Sequence, residues 1–174
     1  MISETIGGKC LDMKFKRSED FYGRVEEIFT DLSKRILGVA PGVEILHIGG
    51  SSIPGAYTKG DLDIQVRVKR EEYLATAEAI GKVIEPNNLE LWNGELAIFR
   101  DEGQYGWKID ILMTVIGSND DNCYKFRDLL IANSSLLDKY NAWKLAFEGG
   151  NRKWYKIAKD HFYRRLTDLL EKEL

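Results

Sequence analysis

The sequence predicts an α+β fold, a small mixed sheet flanked by helices with a helical C-terminal third. Three observations predict it. The stretch His47 to Val68 reads as the end of a strand, a glycine turn and a second strand; helical periods lie on both sides of it; and after Gly117 only helical periods follow.

Each element has its own justification. Residues 1–17 show no period and read as an irregular or extended lead-in. Phe21, Val25, Ile28, Phe29, Leu32 and Ile36 recur at helical spacing, with Ser18 as the expected N-cap and Gly38 as the expected stop. Ala40-Pro41-Gly42 is a turn, and Val43 to Ile48 a short apolar strand that breaks at Gly49-Gly50. In the next strand Leu62, Ile64, Val66 and Val68 share one face, while Asp61, Asp63, Gln65 and Arg67 share the other and point off the core. Tyr73, Leu74, Ala77, Ile80 and Ile84 give an amphipathic helix over 70–84, ended by Pro86-Asn87-Asn88. Two strands follow, Leu96 to Arg100 and Trp107 to Val115, joined by a hairpin turn at 101–104. In the second, Trp107, Ile109, Ile111, Met113 and Val115 face one way; Lys108, Asp110, Leu112 and Thr114 face the other. Ser118 to Asp121 is a loop ending in cap residues. Three helices then run through Tyr124–Ala132, Leu136–Phe147 and Trp154–Leu169.

Composition bounds the rest. The 174 residues suit one domain with a real core, 1–117 forming a sheet-containing unit and 118–174 helices packed upon it. Hydrophobic residues at 44% and charged residues at 30% are the balance of a soluble globular protein. A net charge of −3 supplies no overall basic field, so nucleic acid is not an expected partner. Cys10 and Cys123 cannot build a disulfide framework or a cysteine zinc site, and His47 and His161 are too scattered for a histidine one. No apolar run is long enough to span a membrane and the N-terminus has no signal-peptide pattern, so the expectation is a reduced, cytoplasmic protein.

The chemistry is concentrated in 47–68. Carboxylates at i and i+2 on one strand face, Asp61 and Asp63, can share a divalent cation, and Asp110 on a later strand is the natural third. Gly49 and Gly50 let the backbone approach a ligand closely, and Ser51 and Ser52 add hydroxyls, so the turn could hold phosphates, helped by the N-terminus of any helix that follows. Each part also has a plain structural reading: a Gly-Gly-Ser turn as just a turn, an Asp-x-Asp pair or Lys59 and Lys159 as solvated surface, His47 as a hydrogen-bonding strand-end residue, Trp143 and Trp154 as packing.

The order strand, Gly-Gly-Ser, Asp61-x-Asp63, later-strand Asp110 resembles the nucleotidyltransferase superfamily, the DNA polymerase β-like fold. Nearly the whole chain resembles the GrpB family (UPF0157) within it, through His47-Ile48-Gly49, Ile53-Pro54-Gly55, Lys59, Asp63-Ile64, Phe126-Arg127-Asp128-Leu129-Leu130, Tyr140, Lys144, Tyr155 and Lys159. The resemblance implies the nucleotidyltransferase fold. It also implies a Mg²⁺- or Mn²⁺-dependent transfer of NMP from an NTP to an unidentified acceptor. Asp61, Asp63 and Asp110 would be the catalytic and metal-binding set, and Gly49, Gly50, Ser51, Ser52, Lys59 and Lys159 the nucleotide contacts. This chain departs from many GrpB relatives in carrying Asp61, Asp110 and Gly50, which completes the carboxylate set and leaves the phosphate contacts to Ser51 and backbone amides. Two other readings stay open: a nucleotide- or phosphometabolite-binding protein without transfer activity, and an interaction module using the C-terminal helices.

Overall fold

A computed structural model describes residues 13–172. Its main sheet runs in the order β2-β4-β7-β6-β5, built from β2 (Glu44–Ile48), β4 (Leu62–Val68), β5 (Pro86–Asn87), β6 (Leu96–Asp101) and β7 (Ile109–Val115). The two central strands, β4 and β7, are parallel and every other pairing in this sheet is antiparallel. A second, two-stranded sheet pairs β1 (Lys16–Arg17) with β3 (Tyr57–Thr58). The α+β expectation holds.

The alternation read along β4 and β7 divides the main sheet into two unlike faces. On one, Leu62, Ile64, Val66, Val68, Ile109, Ile111, Met113 and Val115 are all buried. Two helices cover them. The first, α1 (Tyr22–Val39), applies Val25, Ile28, Leu32 and Ile36, an i, i+3, i+4 stripe; the second, α2 (Tyr73–Gly81), applies Tyr73, Ala77 and Ile80. Burying this much aliphatic surface is the main stabilising term of the fold. Leu74, expected on the apolar face of α2, is exposed instead, because the helix begins only at Tyr73 and presents its Ala77–Ile80 side to the sheet.

The polar face is covered too, which the alternation did not foretell. Gln65 is fully buried. Above it lie the helices α3 (Cys123–Ala132), α4 (Ser134–Leu145) and α5 (Arg152–Lys172), which gather Leu130, Tyr140 and Leu166 around Ile53 and Ala56. The C-terminal third therefore packs on the segment that follows the glycine turn.

Several local expectations are corrected. Ser18 does not cap α1: its hydroxyl donates to the Ile53 carbonyl at 2.8 Å, and a single 3-10 turn over Ser18–Asp20 precedes the helix. Gly38 lies inside α1, which runs on to Val39. Pro86-Asn87 is an edge strand as well as a helix stop, a place where a residue lacking N–H is tolerated. Of the lead-in, Lys16-Arg17 is a strand, and residues 1–12 lie outside the described ones. Asp121 is drawn into the sheet rather than capping α3; the side-chain oxygen of Gln65 accepts the Tyr124 N–H there at 2.9 Å.

Candidate functional site

The glycine turn lies where β2 ends, directly over the carboxylates. Ile48 pairs with Asp63 across β2 and β4, and Asp63 pairs with Asp110 across β4 and β7. In-register neighbours on adjacent strands stand about 4.8 Å apart, so Asp63 and Asp110 lie side by side on the polar face. Gly49 has φ +73°, and a Cβ there would stand 2.8 Å from the Asp63 Cβ and closer still to Oδ2. Only glycine satisfies both the backbone angle and this approach.

The helices hold the turn from outside. From α3, Arg127 donates to the His47 carbonyl at 2.8 Å. From α4, Asn141 accepts from the Tyr57 N–H at 2.8 Å and donates to the Gly55 carbonyl at 2.9 Å. The hydroxyls expected to face phosphates are turned inward. Ser51 is buried and donates to the Asp61 carbonyl at 2.8 Å, and Ser52 donates to the Gly49 carbonyl at 2.7 Å. The Ser51 oxygen is then an acceptor for His47 Nε2 at 3.0 Å, which assigns the proton to that nitrogen. Burial, with the nearby charge of Arg127, lowers the His47 pKa to about 4, and its ring stacks on Phe29. His47 is thus a neutral structural strut, in keeping with its plain reading. The helix after the turn spans only Gly50–Ser52, too short to supply a macrodipole.

The three aspartates meet different partners. Asp61 Oδ2 takes Lys108 Nζ at 2.7 Å and Lys59 Nζ at 3.2 Å. Burial works to raise its pKa, but these two lysines outweigh it and hold the carboxyl below its ordinary value. Asp110 Oδ1 accepts from Arg100 Nε at 2.6 Å and Oδ2 from Lys108 Nζ at 3.0 Å. Asp63 makes no hydrogen bond or ion pair among the described residues. Burial pushes its pKa up, Lys159 opposes the rise, and the charges of Asp110 and Asp61 add to it.

Facing Asp63 across a small cavity of about 50 Å³ are Thr58, Lys59, Lys144, Lys159 and the tyrosines 140, 155 and 163. Lys144 is buried, donates to the Tyr57 carbonyl at 3.0 Å and lies 4.2 Å from the Tyr140 ring centre. Burial and the like charge of Lys159 lower its pKa to about 7. Lys159 lies 5.6 Å from the Tyr163 ring centre. Burial disfavours its charge, but Tyr163, Asp63 and Tyr155 outweigh that and raise its pKa, so it stays protonated. Neither amine has a carboxylate within ion-pair distance among the described residues. A Cβ on Gly50 would come within 2.8 Å of Lys144 Nζ, so the second glycine makes room for a lysine. Beyond Lys159 and Tyr163 a larger cavity of about 510 Å³ opens, lined by Gly49, Ile53, Leu112, Cys123, Phe126 and Arg127 among others.

The sequence-chosen residues Gly49, Gly50, Lys59, Lys159, Asp61, Asp63 and Asp110 thus surround one site, while Ser51 and Ser52 support the turn. Lys108, Arg100 and the full part played by Lys144 were missed. Lys108 had a signal: it precedes Asp110 by two residues on the same strand face. Trp143 and Trp154 part company, Trp143 stacking on Phe162 and Tyr155, Trp154 exposed.

The donor chemistry fits a hard divalent cation, since carboxylate oxygens are what such an ion prefers and Asp63 has no cation within ion-pair distance among the described residues. As the side chains stand, however, no three His, Cys, Asp or Glu among the described residues form a group able to hold a metal ion. Among the same residues no helix is long and apolar enough to cross a membrane.

Known proteins resemble this chain in sequence and fold. A UPF0157 protein of Vibrio cholerae is 28% identical over 156 residues, covering 89% of this chain and 82% of the relative. The crystal structure of conserved protein GrpB from Enterococcus faecalis matches with a TM-score of 0.69 at 14% identity, over 92% of this chain and 99% of that one. The Cid1 poly(U) polymerase with MgGTP bound matches with a TM-score of 0.52 at 15% identity, over 74% of this chain and 42% of that polymerase. A Cid1 variant bound to MgATP gives 0.54. These likenesses show the nucleotidyltransferase fold. The profile of the GrpB protein family matches residues 20–169, and with that span of agreement the chain belongs to the GrpB family.

Proposed function

We propose that this protein binds the triphosphate of a nucleotide between the sheet carboxylates and the lysines of its C-terminal helices, and transfers the NMP group to an acceptor hydroxyl or amine. One observation carries the reading. Lys144, which is buried, and Lys159, neither of them ion-paired to a carboxylate among the described residues, face Asp63, itself without an ion pair, across a polar cavity at the glycine turn. An anion and a cation arriving together would satisfy both walls, and a metal–triphosphate complex is such a ligand. The Cid1 structures with bound MgGTP and MgATP support the same reading on a shared fold.

In this reading Lys159, Lys144 and Lys59 bind phosphate oxygens. The backbone at Gly49 and Gly50 permits the close approach. Of the three aspartates expected to hold Mg²⁺ or Mn²⁺, Asp61 and Asp63 are the residues that would hold it, with Asp110 beside them and engaged by Arg100 and Lys108. When bound, the ion would screen phosphate charge and ease deprotonation of the acceptor. The acceptor oxygen or nitrogen bonds to the α-phosphorus, the bond to the α–β bridging oxygen breaks, pyrophosphate leaves, and the acceptor proton passes to a carboxylate. The cavity beside Lys159 has the size of a small-molecule site and suits the nucleoside or the acceptor.

A second reading, binding of a phosphorylated metabolite without transfer, is favoured by one observation: both oxygens of Asp110 are already engaged by Arg100 and Lys108. Thermal stability with each of ATP, GTP, CTP and UTP, with and without Mg²⁺ or Mn²⁺, separates the two. A ligand at 100 times its Kd adds about 2.7 kcal/mol. Transfer predicts a metal-dependent shift with one NTP that Asp63→Ala abolishes. A shift that ignores metal and survives Asp63→Ala supports the second reading, and no shift with any NTP overturns the transfer reading. Where turnover is found, Asp110→Asn is expected to abolish it and leave nucleotide binding.

A further inference from the structure

Sites that move phosphoryl groups with two divalent ions place them about 3.5–4 Å apart, bridged by shared carboxylates. The side chains here are arranged otherwise. Lys108 immediately precedes β7, two residues before Asp110 and on the same face, and its ammonium crosses to the residue that precedes β4. There it touches Asp61 Oδ2 at 2.7 Å and Asp110 Oδ2 at 3.0 Å. It occupies the point between two carboxylates that an ion bridging them would need. Arg100 Nε takes the other oxygen of Asp110 at 2.6 Å.

We infer that Lys108 replaces one of the two cations, so that this site takes a single divalent ion, held by Asp63 and the remaining oxygen of Asp61 and completed by phosphate oxygens. The inference rests on the proposed triphosphate site and specifies its metal content. The free donors set the count. Both oxygens of Asp110 are already engaged by cationic donors, Asp61 keeps Oδ1 unengaged, and Asp63 keeps both. Those oxygens can seat one hard cation that keeps several of its other ligands, as Mg²⁺ does.

Charge supports the same conclusion. The three carboxylates face Lys108, Lys59 and Arg100, an equal number of fixed cations. A free metal ion gains little from so balanced a group, whereas a metal–phosphate complex brings its own negative charge to Lys144 and Lys159. The ion is therefore expected to enter with the phosphate chain and not before it.

The test counts Mn²⁺ by electron paramagnetic resonance, with inorganic tripolyphosphate as the probe. Wild type and Lys108→Arg, which keeps the charge, should each bind one isolated Mn²⁺ per chain when tripolyphosphate is present and none without it. Lys108→Met should bind two, with the line broadening of a close, coupled pair. Two ions in wild type would overturn the inference, as would a single ion in a folded Lys108→Met. Tripolyphosphate bound with no Mn²⁺ at all would also overturn it. If tripolyphosphate itself does not bind, the triphosphate reading beneath it fails, an outcome distinct from a wrong metal count.

Discussion

Four polar side chains, Asp61 just before β4 and Asp63, Gln65 and Arg67 within it, alternate onto one face, and the two halves of that face end differently. In the Gln65–Arg67 half every group is matched. Asp121 accepts Arg67 Nε and a second guanidinium nitrogen, each at 2.8 Å, Gln65 Nε2 at 3.0 Å and the Gly117 N–H at 2.9 Å. Arg67 also pairs with Glu44 and lies 4.4 Å from the Tyr124 ring centre. In the Asp61–Asp63 half the matching stops part-way. Asp61 is neutralised by lysines, while Asp63 makes no ion pair and faces Lys144, a buried amine, and Lys159, both without carboxylate ion pairs among the described residues. The same strand pattern gives a structural polar core in one half and an unfinished one in the other. An unfinished buried polar group costs stability, and it persists where a ligand completes it.

The comparison can be broken in four places, the largest effect first. Asp121→Ala strips Arg67 and Gln65 of their shared acceptor and should cost about 3–5 kcal/mol in chemical denaturation. A loss below about 1 kcal/mol would mean that the matched half is not the stabilising one.

Lys144 gives an effect on the order of a few kcal/mol, read by pH. Its folded pKa is about 7, against an ordinary 10.5. Between those values the unfolded chain holds the extra proton, so wild-type stability should rise with pH from about 7 to about 10.5. Lys144→Met should remove this slope and be relatively most stable near and below neutrality. A slope unchanged by the substitution would contradict the burial of this amine.

His47 acts at the acid end. Its folded pKa of about 4 lies below the ordinary 6.5, so the unfolded state takes up the proton first and stability should fall as pH drops from 6.5 to 4. His47→Gln should flatten that limb while leaving nucleotide binding within a few-fold. The smallest effect is a gain. Asp63→Asn removes a half-buried, repelled carboxylate and should add about 0.5–2 kcal/mol at neutral pH, as relieving an active site commonly does, while abolishing metal-dependent binding. Destabilisation there, comparable with that of Asp121→Ala, would erase the difference between the two halves.

Much of this was legible in the chain. Period-two alternation placed Asp61 and Asp63 together, and Asp110 and Lys108 together, because side-chain direction in a strand depends only on parity. The helical periods of α1 and α3–α5 were readable for the same local reason. Parity could not say that Gln65 would be buried, since that depends on α3 and the 117–122 loop returning over the sheet. Nor could it show that the Ser51 and Ser52 hydroxyls turn inward, which follows from carbonyls offered by Asp61 and Gly49. The lysine wall was the least visible part. Lys144 and Lys159 belong to different helices, and only the packing of both onto the segment after the glycine turn brings them to one cavity. The two-residue strands β1 and β3 were missed because so short a pairing leaves no periodic trace.

The most direct test is isothermal titration of tripolyphosphate into wild type and Lys159→Met with Mg²⁺ present, at pH 7.5 in buffers of differing ionisation enthalpy. The account predicts one site per chain, at least about tenfold weaker in Lys159→Met because a charge-assisted contact is lost. It also predicts net proton uptake in wild type as Lys144 becomes charged beside the anion. Equal affinity in the two proteins, or no binding by wild type, would contradict it.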